Sequence, residues 1–140
     1  VFDLTGNPIR RFGSLGDRAG EFNYPESLAF GPSGDLHVLD SGNWRIEVFG
    51  PFGDYRGRYG SRGREIGEFL HPEAMTMAEN GYVYVADNVT EYVTIFDPRW
   101  RPLTRFQPLM ADGRLLVPCE IIWLPDGRLY IGGFPDLAPA

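Results

Sequence analysis

The apolar residues of this 140-residue chain fall in short runs, and each run ends at a sequence typical of a tight turn. Val, Ile, Leu, Phe and Tyr dominate the runs, and turns read Pro-Ser-Gly-Asp at 32–35, Glu-Asn-Gly at 79–81 and Pro-Asp-Gly at 125–127. Short runs of these residues between Gly and Pro turns are typical of β-strands. With 18 Gly and 12 Pro in the chain, no long apolar stripe of helical period survives uninterrupted. The pattern therefore predicts an all-β protein.

The same pattern recurs at an offset of 47 residues. Gly-Glu-Phe at 67–69 and the run at 72–77 repeat Gly-Glu-Phe at 20–22 and the run at 25–30, and a third, partial copy begins at Pro118. A repeat of this length indicates one supersecondary unit stacked on its neighbours. Each full copy holds four apolar runs, so the unit is predicted to be a four-stranded sheet.

The repeats define one domain over residues 1–140. We predict about twelve strands, three units' worth, because the amino end supplies the last two strands of a unit and the carboxyl end supplies the first two. The predicted units are a partial blade at 1–13, full blades at 20–60 and 67–107, and a partial blade at 116–133, with strands at 1–3, 9–12, 26–30, 36–39, 44–49, 55–59, 73–77, 82–86, 91–96, 102–106, 119–123 and 128–131.

One motif runs through both full copies: Gly-x-Phe-x-x-Pro, an apolar strand, Gly-x-Leu/Val-x-Val-x-Asp, and then Ile-x-Val-Phe or a close variant. It resembles the NHL repeat, the four-stranded blade of a β-propeller, over essentially the whole chain. Asn43 and Arg45 also fit the family's Asn-x-Arg-Ile, whereas Thr90 and Tyr92 replace them in the second copy. The third copy departs further, since Gly133 stands where the others have Asp.

The resemblance implies a closed ring, usually of six blades, of which this chain would be half. An open arc leaves apolar blade surfaces and strand edges in water. Three arrangements stay open: a two-fold ring of two copies that share their partial blades, a segment completed by another propeller chain, and an open arc. The expected partner is accordingly a protein, as a homodimer or a second propeller chain.

The resemblance also implies that one face of the ring gathers the starts of the first strands and the loops between second and third strands, where ligands bind. Glu26 and Glu73 recur there and could hold a hard cation such as Ca²⁺. Asp40 is expected to cap its turn and pair with Arg45, whereas Asp87, without a matching Arg, is expected to be more exposed and a better ligand. The candidates for this face are Glu26, Asp40, Asn43, His71, Glu73, Asp87 and Asn88.

Other candidate chemistry is sparse in this sequence. A Zn²⁺ site needs three or four converging ligands, whereas His37 and His71 are the only histidines, so structural or surface roles are expected for both. Cys119 is the only cysteine, which excludes an internal disulfide, and it is expected to be a small core residue. No nucleophile elbow or phosphate loop is present.

Charge and hydropathy narrow the partners. A net charge of −6 argues against nucleic acid, and the one basic aromatic cluster, at 55–64, is flanked by acidic residues. No apolar run approaches the length needed to span a membrane. The first residue is Val, so a processed or trimmed start is expected, and a soluble, exported protein lacking its signal segment here fits as well as any other compartment.

These observations predict a non-catalytic protein-binding or scaffolding module without a cofactor. The alternative is a metal-dependent propeller lyase or lactone hydrolase that uses Ca²⁺ or Zn²⁺ in the central channel.

Overall fold

Two four-stranded antiparallel sheets, each a meander in chain order, form the centre of the computed structural model, which describes residues 1–137. The first blade consists of Pro25–Phe30, Leu36–Asp40, Arg45–Phe49 and Tyr55–Tyr59. The second consists of Pro72–Met77, Val83–Asp87, Tyr92–Phe96 and Pro102–Phe106. The prediction of an all-β propeller fold with four-stranded blades is confirmed.

Shorter elements complete the described part of the chain. A two-stranded antiparallel hairpin, Leu116–Trp123 with Leu129–Pro135, follows the second blade. Each linker into a blade forms a short parallel pair, and one 3-10 turn follows the second strand of the first blade. These elements are Ser14–Leu15 with Glu21–Phe22, Ser61–Arg62 with Glu68–Phe69, and Ser41–Asn43. Within residues 1–137 no helix is long and apolar enough to cross a membrane.

The amino-terminal segment differs from the expectation of two regular strands. It forms a hairpin with a single bridge, Phe2 to Pro8, in the register that pairs Phe49 with Tyr55. Pro8 has no N–H to donate to a ladder, and the pairing continues only to Val1, whose N–H donates to Arg10 O at 2.7 Å and whose carbonyl accepts from Ile9 N at 2.9 Å. The segment therefore has the turn that joins the third and fourth strands of a full blade, but it does not have the regular strand pairing of the full blades.

The core lies between the blades. Leu39, Ile46 and Val48 of the first blade pack against Met75 and Val85 of the second in one cluster. The other face of the second blade, through Ala74, Ala86 and Val93, packs against Ile121 of the carboxyl-terminal hairpin. The strands Leu36–Asp40, Arg45–Phe49 and Val83–Asp87 are buried on both faces, so their apolar runs are continuous where a one-sided sheet would alternate.

Side-chain hydroxyls tie the junctions together. Ser27 Oγ accepts a hydrogen bond from Met75 N at 3.2 Å, across the first junction. Thr76 Oγ1 accepts one from Trp123 N at 3.1 Å, across the second. The two sheets and the carboxyl-terminal hairpin therefore stack in chain order, like successive propeller blades.

The two ends of this stack are uncovered. Met75, which the first blade covers, is 4% exposed, whereas Leu28, at the same position of the preceding repeat, is 64% exposed. Phe30 is 71% exposed on the same face. At the opposite end, Ile122 and Tyr130 of the carboxyl-terminal hairpin are exposed as well. Each end thus presents apolar side chains that a further blade would bury.

Candidate functional site

A bulge at the start of each first strand sets the geometry of the candidate face. Pro25 pairs with Asp40 and Ser27 with Leu39, so Glu26 is the extra, unpaired residue. Glu73 is skipped in the same way in the second blade, and Cys119 is skipped in the carboxyl-terminal hairpin. A bulged residue leaves the alternation of the strand, which re-aims its side chain. The repeat therefore places Glu26, Glu73 and Cys119 at equivalent positions at one end of the stacked sheets.

Cys119 was expected in the core, and that prediction was wrong. The residue is half-buried, because the bulge takes it out of the face that packs on the second blade. Burial, and then the nearby carboxylates of Glu73 and Glu120, raise the pKa of its thiol. A raised pKa disfavours the thiolate form, which nucleophilic or metal-binding cysteines need.

Glu73 lies in a small polar cluster. Asn88 Nδ2 donates a hydrogen bond to Glu73 Oε1 at 2.5 Å, and His71 Nδ1 lies 3.5 Å from the same oxygen. The structure thus brings together three residues that the sequence analysis singled out. Asn88 Oδ1 is a buried oxygen without a hydrogen-bond partner among the described residues.

Glu26 has different surroundings although it occupies the same repeat position. Ser41 stands where the second repeat has Asn88, and Tyr24 stands where it has His71. The Glu26 side chain is exposed and has no hydrogen-bond or ion-pair partner within residues 1–137. The two carboxylates are therefore not interchangeable, since one is held in a cluster and the other faces solvent.

Asp87 is a structural residue, and the expectation that it is more exposed than Asp40 was wrong. Both side chains are buried. Asp87 Oδ2 accepts hydrogen bonds from the backbone N–H groups of Leu70 and His71, and Oδ1 accepts from those of Val89 and Thr90, at 2.7–3.1 Å. Four backbone donors saturate the carboxylate, so a bound ligand would have to displace them.

The prediction that Asp40 caps its turn was wrong, because its side chain makes no capping hydrogen bond to the 3-10 turn Ser41–Asn43. Its carboxylate accepts hydrogen bonds from Asn23 N at 2.6 Å and from Asn43 Nδ2 at 2.7 Å. The predicted pair with Arg45 is confirmed, with Nε at 3.2 Å from Asp40 Oδ2. Asn43 also donates to Gly16 O at 2.9 Å, so Asn43 joins the loop to the linker before the blade.

Arg45 does more than pair with Asp40. Its guanidinium donates to the carbonyls of Asp17, Arg18 and Glu21 at 2.6–3.0 Å and forms an ion pair with Glu47 at 3.0 Å. Arg45 and Glu47 are both buried, and burial is the main cause that raises the pKa of Glu47. The sequence analysis missed Glu47, because in a strand buried on both faces no alternation separates inward from outward positions.

The two histidines have separate roles, since His37 is structural and His71 lies at the surface, the two kinds of role expected from the sequence. His37 is buried between the blades, with Nδ1 2.9 Å from Tyr59 Oη, and burial lowers its pKa to about 4. His71 is exposed. Among residues 1–137 no group of three or more His, Cys, Asp or Glu side chains is arranged to hold a metal ion.

The basic cluster at 55–64 is spread over the surface. Arg56 pairs with Asp54 at 2.7 Å, and the guanidinium carbon of Arg62 lies 4.8 Å from the centre of the Trp44 ring. Arg56 and Arg62 thus have partners within this chain, whereas the exposed side chains of Arg58 and Arg64 have no hydrogen-bond or ion-pair partner among residues 1–137.

Comparison with solved structures finds propeller proteins. The chain is similar to hydrazine synthase of Kuenenia stuttgartiensis, at 18% identity over 78% of this chain and 29% of that one, with a TM-score of 0.61. It is similar to a gluconolactonase of Xanthomonas campestris, at 21% identity over 84% of this chain and 37% of that one, with a TM-score of 0.61. A candidate exported protein of Bacteroides fragilis matches at 18% identity over 86% and 32%, with a TM-score of 0.68.

At such identities the likeness concerns the fold, and this chain spans about a third of the length of these proteins. No protein-family model matches the sequence. The propeller fold is therefore established by structure, and the NHL assignment stays a resemblance in the sequence.

Proposed function

We propose that this chain is a protein-binding module, and that it completes a propeller ring by binding a second copy of itself at the uncovered face of the first blade. The proposal rests on one comparison within the chain. Met75 is 4% exposed because the first blade covers it, and Leu28, its equivalent one repeat earlier, is 64% exposed. The first blade thus presents a surface of the kind that a neighbouring blade buries elsewhere in the same molecule.

The uncovered face is concave and apolar. A depression of about 510 Å³ lies between the first blade and the amino-terminal hairpin. Contiguous exposed apolar surface of this kind marks a site of protein association. The depression is lined by Phe2, Phe12, Phe22, Leu28, Phe30 and Leu36, among others.

The carboxyl-terminal hairpin has the matching surface. Ile122 and Tyr130 are exposed and occupy the repeat positions of Ala29 and His37, which pack against the second blade. The hairpin holds the first two strands of a blade, and the amino-terminal hairpin keeps the register of the third and fourth. The carboxyl-terminal hairpin of one copy and the amino-terminal hairpin of the other would together form one four-stranded blade. In a dimer with a two-fold axis this happens twice, which gives two shared blades.

The solution mass tests this proposal. We expect the wild-type protein to have a mass near twice 15.8 kDa by light scattering, and Leu28→Arg to have the mass of one chain, because a charge at the centre of an apolar interface is not buried without a partner. Leu103→Arg is the matched control, since Leu103 is exposed on the outer strand of the second blade. A wild-type protein that stays monomeric at roughly 100 µM, a concentration far above the Kd of ordinary specific interfaces, would rule out self-association and leave completion by another propeller chain or an open arc.

A second candidate is a cation-dependent hydrolase. The cluster of Glu73, His71 and Asn88 favours it, because oxygen and imidazole ligands meet at the end of the blades, and one of the similar structures is a gluconolactonase. Further blades would have to supply the remaining ligands. The test is calorimetric titration with Ca²⁺ and Zn²⁺ together with hydrolysis of gluconolactone, in the wild type and in Glu73→Gln. Binding and turnover that both disappear in Glu73→Gln would establish the enzyme.

The similarity to a candidate exported protein is compatible with an exported location for this chain as well. Fractionation of the source cells would test that location.

A further inference from the structure

A cleft at the junction of the two blades lies wholly within this chain, so it does not depend on ring completion. It has a volume of about 320 Å³ and opens between the loop that follows the second strand of the first blade and the loop that precedes the second blade. Its lining includes Tyr24, Glu26, Trp44, Leu70 and His71. Two aromatic rings and one carboxylate therefore face the same small space.

The Trp44 ring is held in place. Its Nε1–H donates a hydrogen bond to Leu70 O at 3.0 Å, which joins the first blade to the start of the second. Trp44 itself has a left-handed backbone (φ 53°), a conformation that larger residues seldom adopt without support from their surroundings. The ring already engages one guanidinium, that of Arg62 at 4.8 Å. Because the indole is fixed and already makes one cation–π contact, it offers a suitable surface on which a planar cation can stack.

Glu26 supplies an unpaired negative charge at the cleft. Its repeat equivalent, Glu73, accepts a hydrogen bond from Asn88 and lies beside His71, whereas Glu26 has no partner within residues 1–137, Arg62 included. The difference arises because Ser41 and Tyr24 replace Asn88 and His71 in the first repeat. Both oxygens of the Glu26 carboxylate are thus free to accept hydrogen bonds from a guanidinium, whereas Glu73 already accepts one from Asn88.

We propose that this cleft binds an arginine side chain of a partner polypeptide. A guanidinium can donate two N–H groups to the Glu26 carboxylate in a two-point, charge-assisted contact and at the same time stack on an aromatic ring. Lysine offers a compact, strongly hydrated charge that does not stack in this way. The net charge of −6 adds a favourable long-range field for a cationic segment.

An NMR titration with a capped peptide tests the proposal. The probe is acetyl-Gly-Arg-Gly-amide, and the same peptide with citrulline is its neutral isostere. The readout is the indole Nε1–H resonance of Trp44, assigned by its loss in Trp44→Phe. We expect a saturable shift with the arginine peptide and none with the citrulline peptide over the same range.

Matched variants separate the two carboxylates. Glu26→Gln should weaken binding by about tenfold or more, the loss expected when a charge-assisted hydrogen bond becomes a neutral one. Glu73→Gln should change the affinity less than about twofold, because Glu73 already has internal partners. Glu26 is exposed and Glu73 is partly buried, so circular dichroism would verify that each variant folds.

The proposal would be overturned by the absence of a shift of the Trp44 indole, by an equal shift with citrulline, or by an effect of Glu73→Gln as large as that of Glu26→Gln. The titration is repeated with Leu28→Arg, which disrupts the proposed ring contact, and the same affinity is expected. A change confined to that variant would show that the cleft forms only in the assembled ring, contrary to the proposal.

Discussion

Replacing Asp87 by Ala should destabilise the protein strongly, because the side chain holds two loops together through hydrogen bonds to their backbones. Its two carboxylate oxygens accept hydrogen bonds from four backbone N–H groups, of Leu70, His71, Val89 and Thr90. These groups belong to two loops that are adjacent in space, one before the first strand of the second blade and one after its second strand. The substitution removes the acceptor from all four at once.

The magnitude follows from the cost of unpaired donors. A buried polar group left without its partner costs about 1–3 kcal/mol. Water entering the gap left by a carboxylate could recover about half of the four bonds, which leaves a loss of about 3 kcal/mol. For a domain of this size such a loss lowers Tm by roughly 10 °C.

Chemical and thermal denaturation followed by circular dichroism would measure the loss. Glu26→Ala is the control, since Glu26 has no partner within residues 1–137, and we expect a change in unfolding free energy within about 0.5 kcal/mol for this surface position. If Asp87→Ala costs less than about 1 kcal/mol, or no more than Glu26→Ala, the assignment of Asp87 as a structural cap is refuted.

Three further substitutions test other parts of the structure. Burial lowers the pKa of His37 from 6.5 to about 4, so between these pH values the unfolded chain binds a proton that the folded chain does not. The free energy of unfolding should therefore fall by up to about 3 kcal/mol from this group as pH drops from 6.5 to 4. Denaturation measured across this range should show a weaker dependence of the unfolding free energy on pH in His37→Gln. Gly60→Ala should lower the unfolding free energy by about 2 kcal/mol or more, since a Cβ would lie 2.6 Å from the Phe69 ring at a φ of +88°. Gly113→Ala is the control, at a similar φ with nothing within 4 Å, and urea denaturation should show a loss of only about 1 kcal/mol. Arg45→Met should cost about 3–5 kcal/mol because it leaves buried carboxylates without their cation, and the exposed ion pair of Arg128 provides the control, with Arg128→Met expected within about 0.5 kcal/mol.

The repeat made the fold predictable. Short apolar runs between Gly-rich turns, recurring every 47 residues, locate the strands of both full blades to within about one or two residues, the usual scatter of strand ends. The pairing of Asp40 with Arg45 also followed from the sequence, because a carboxylate at the end of one strand lies opposite a guanidinium at the start of the next.

The candidate site was less predictable, since it depends on contacts between repeats. The repeat position alone does not distinguish Glu26 from Glu73, because the residues that make their surroundings different, among them those at 24, 41, 71 and 88, come together only in the folded blades. The exposure of Asp87 was misjudged because its partners are backbone N–H groups, which leave no mark in a pattern of side chains. The bulge that moves Cys119 out of the core is likewise a feature of strand pairing, which periodicity alone cannot reveal.

The most direct test of ring completion is an intermolecular NOE measurement on a mixed sample, in which one half of the molecules carry ¹³C-labelled Leu and Ile and the other half are unlabelled. The account predicts filtered NOEs from the Leu28 methyl groups of one copy to the Tyr130 ring of another, since these residues would meet at the shared blade. The account would be contradicted if a sample that is fully dimeric showed no NOE between copies at Leu28. NOEs that place other surfaces in contact would contradict it as well.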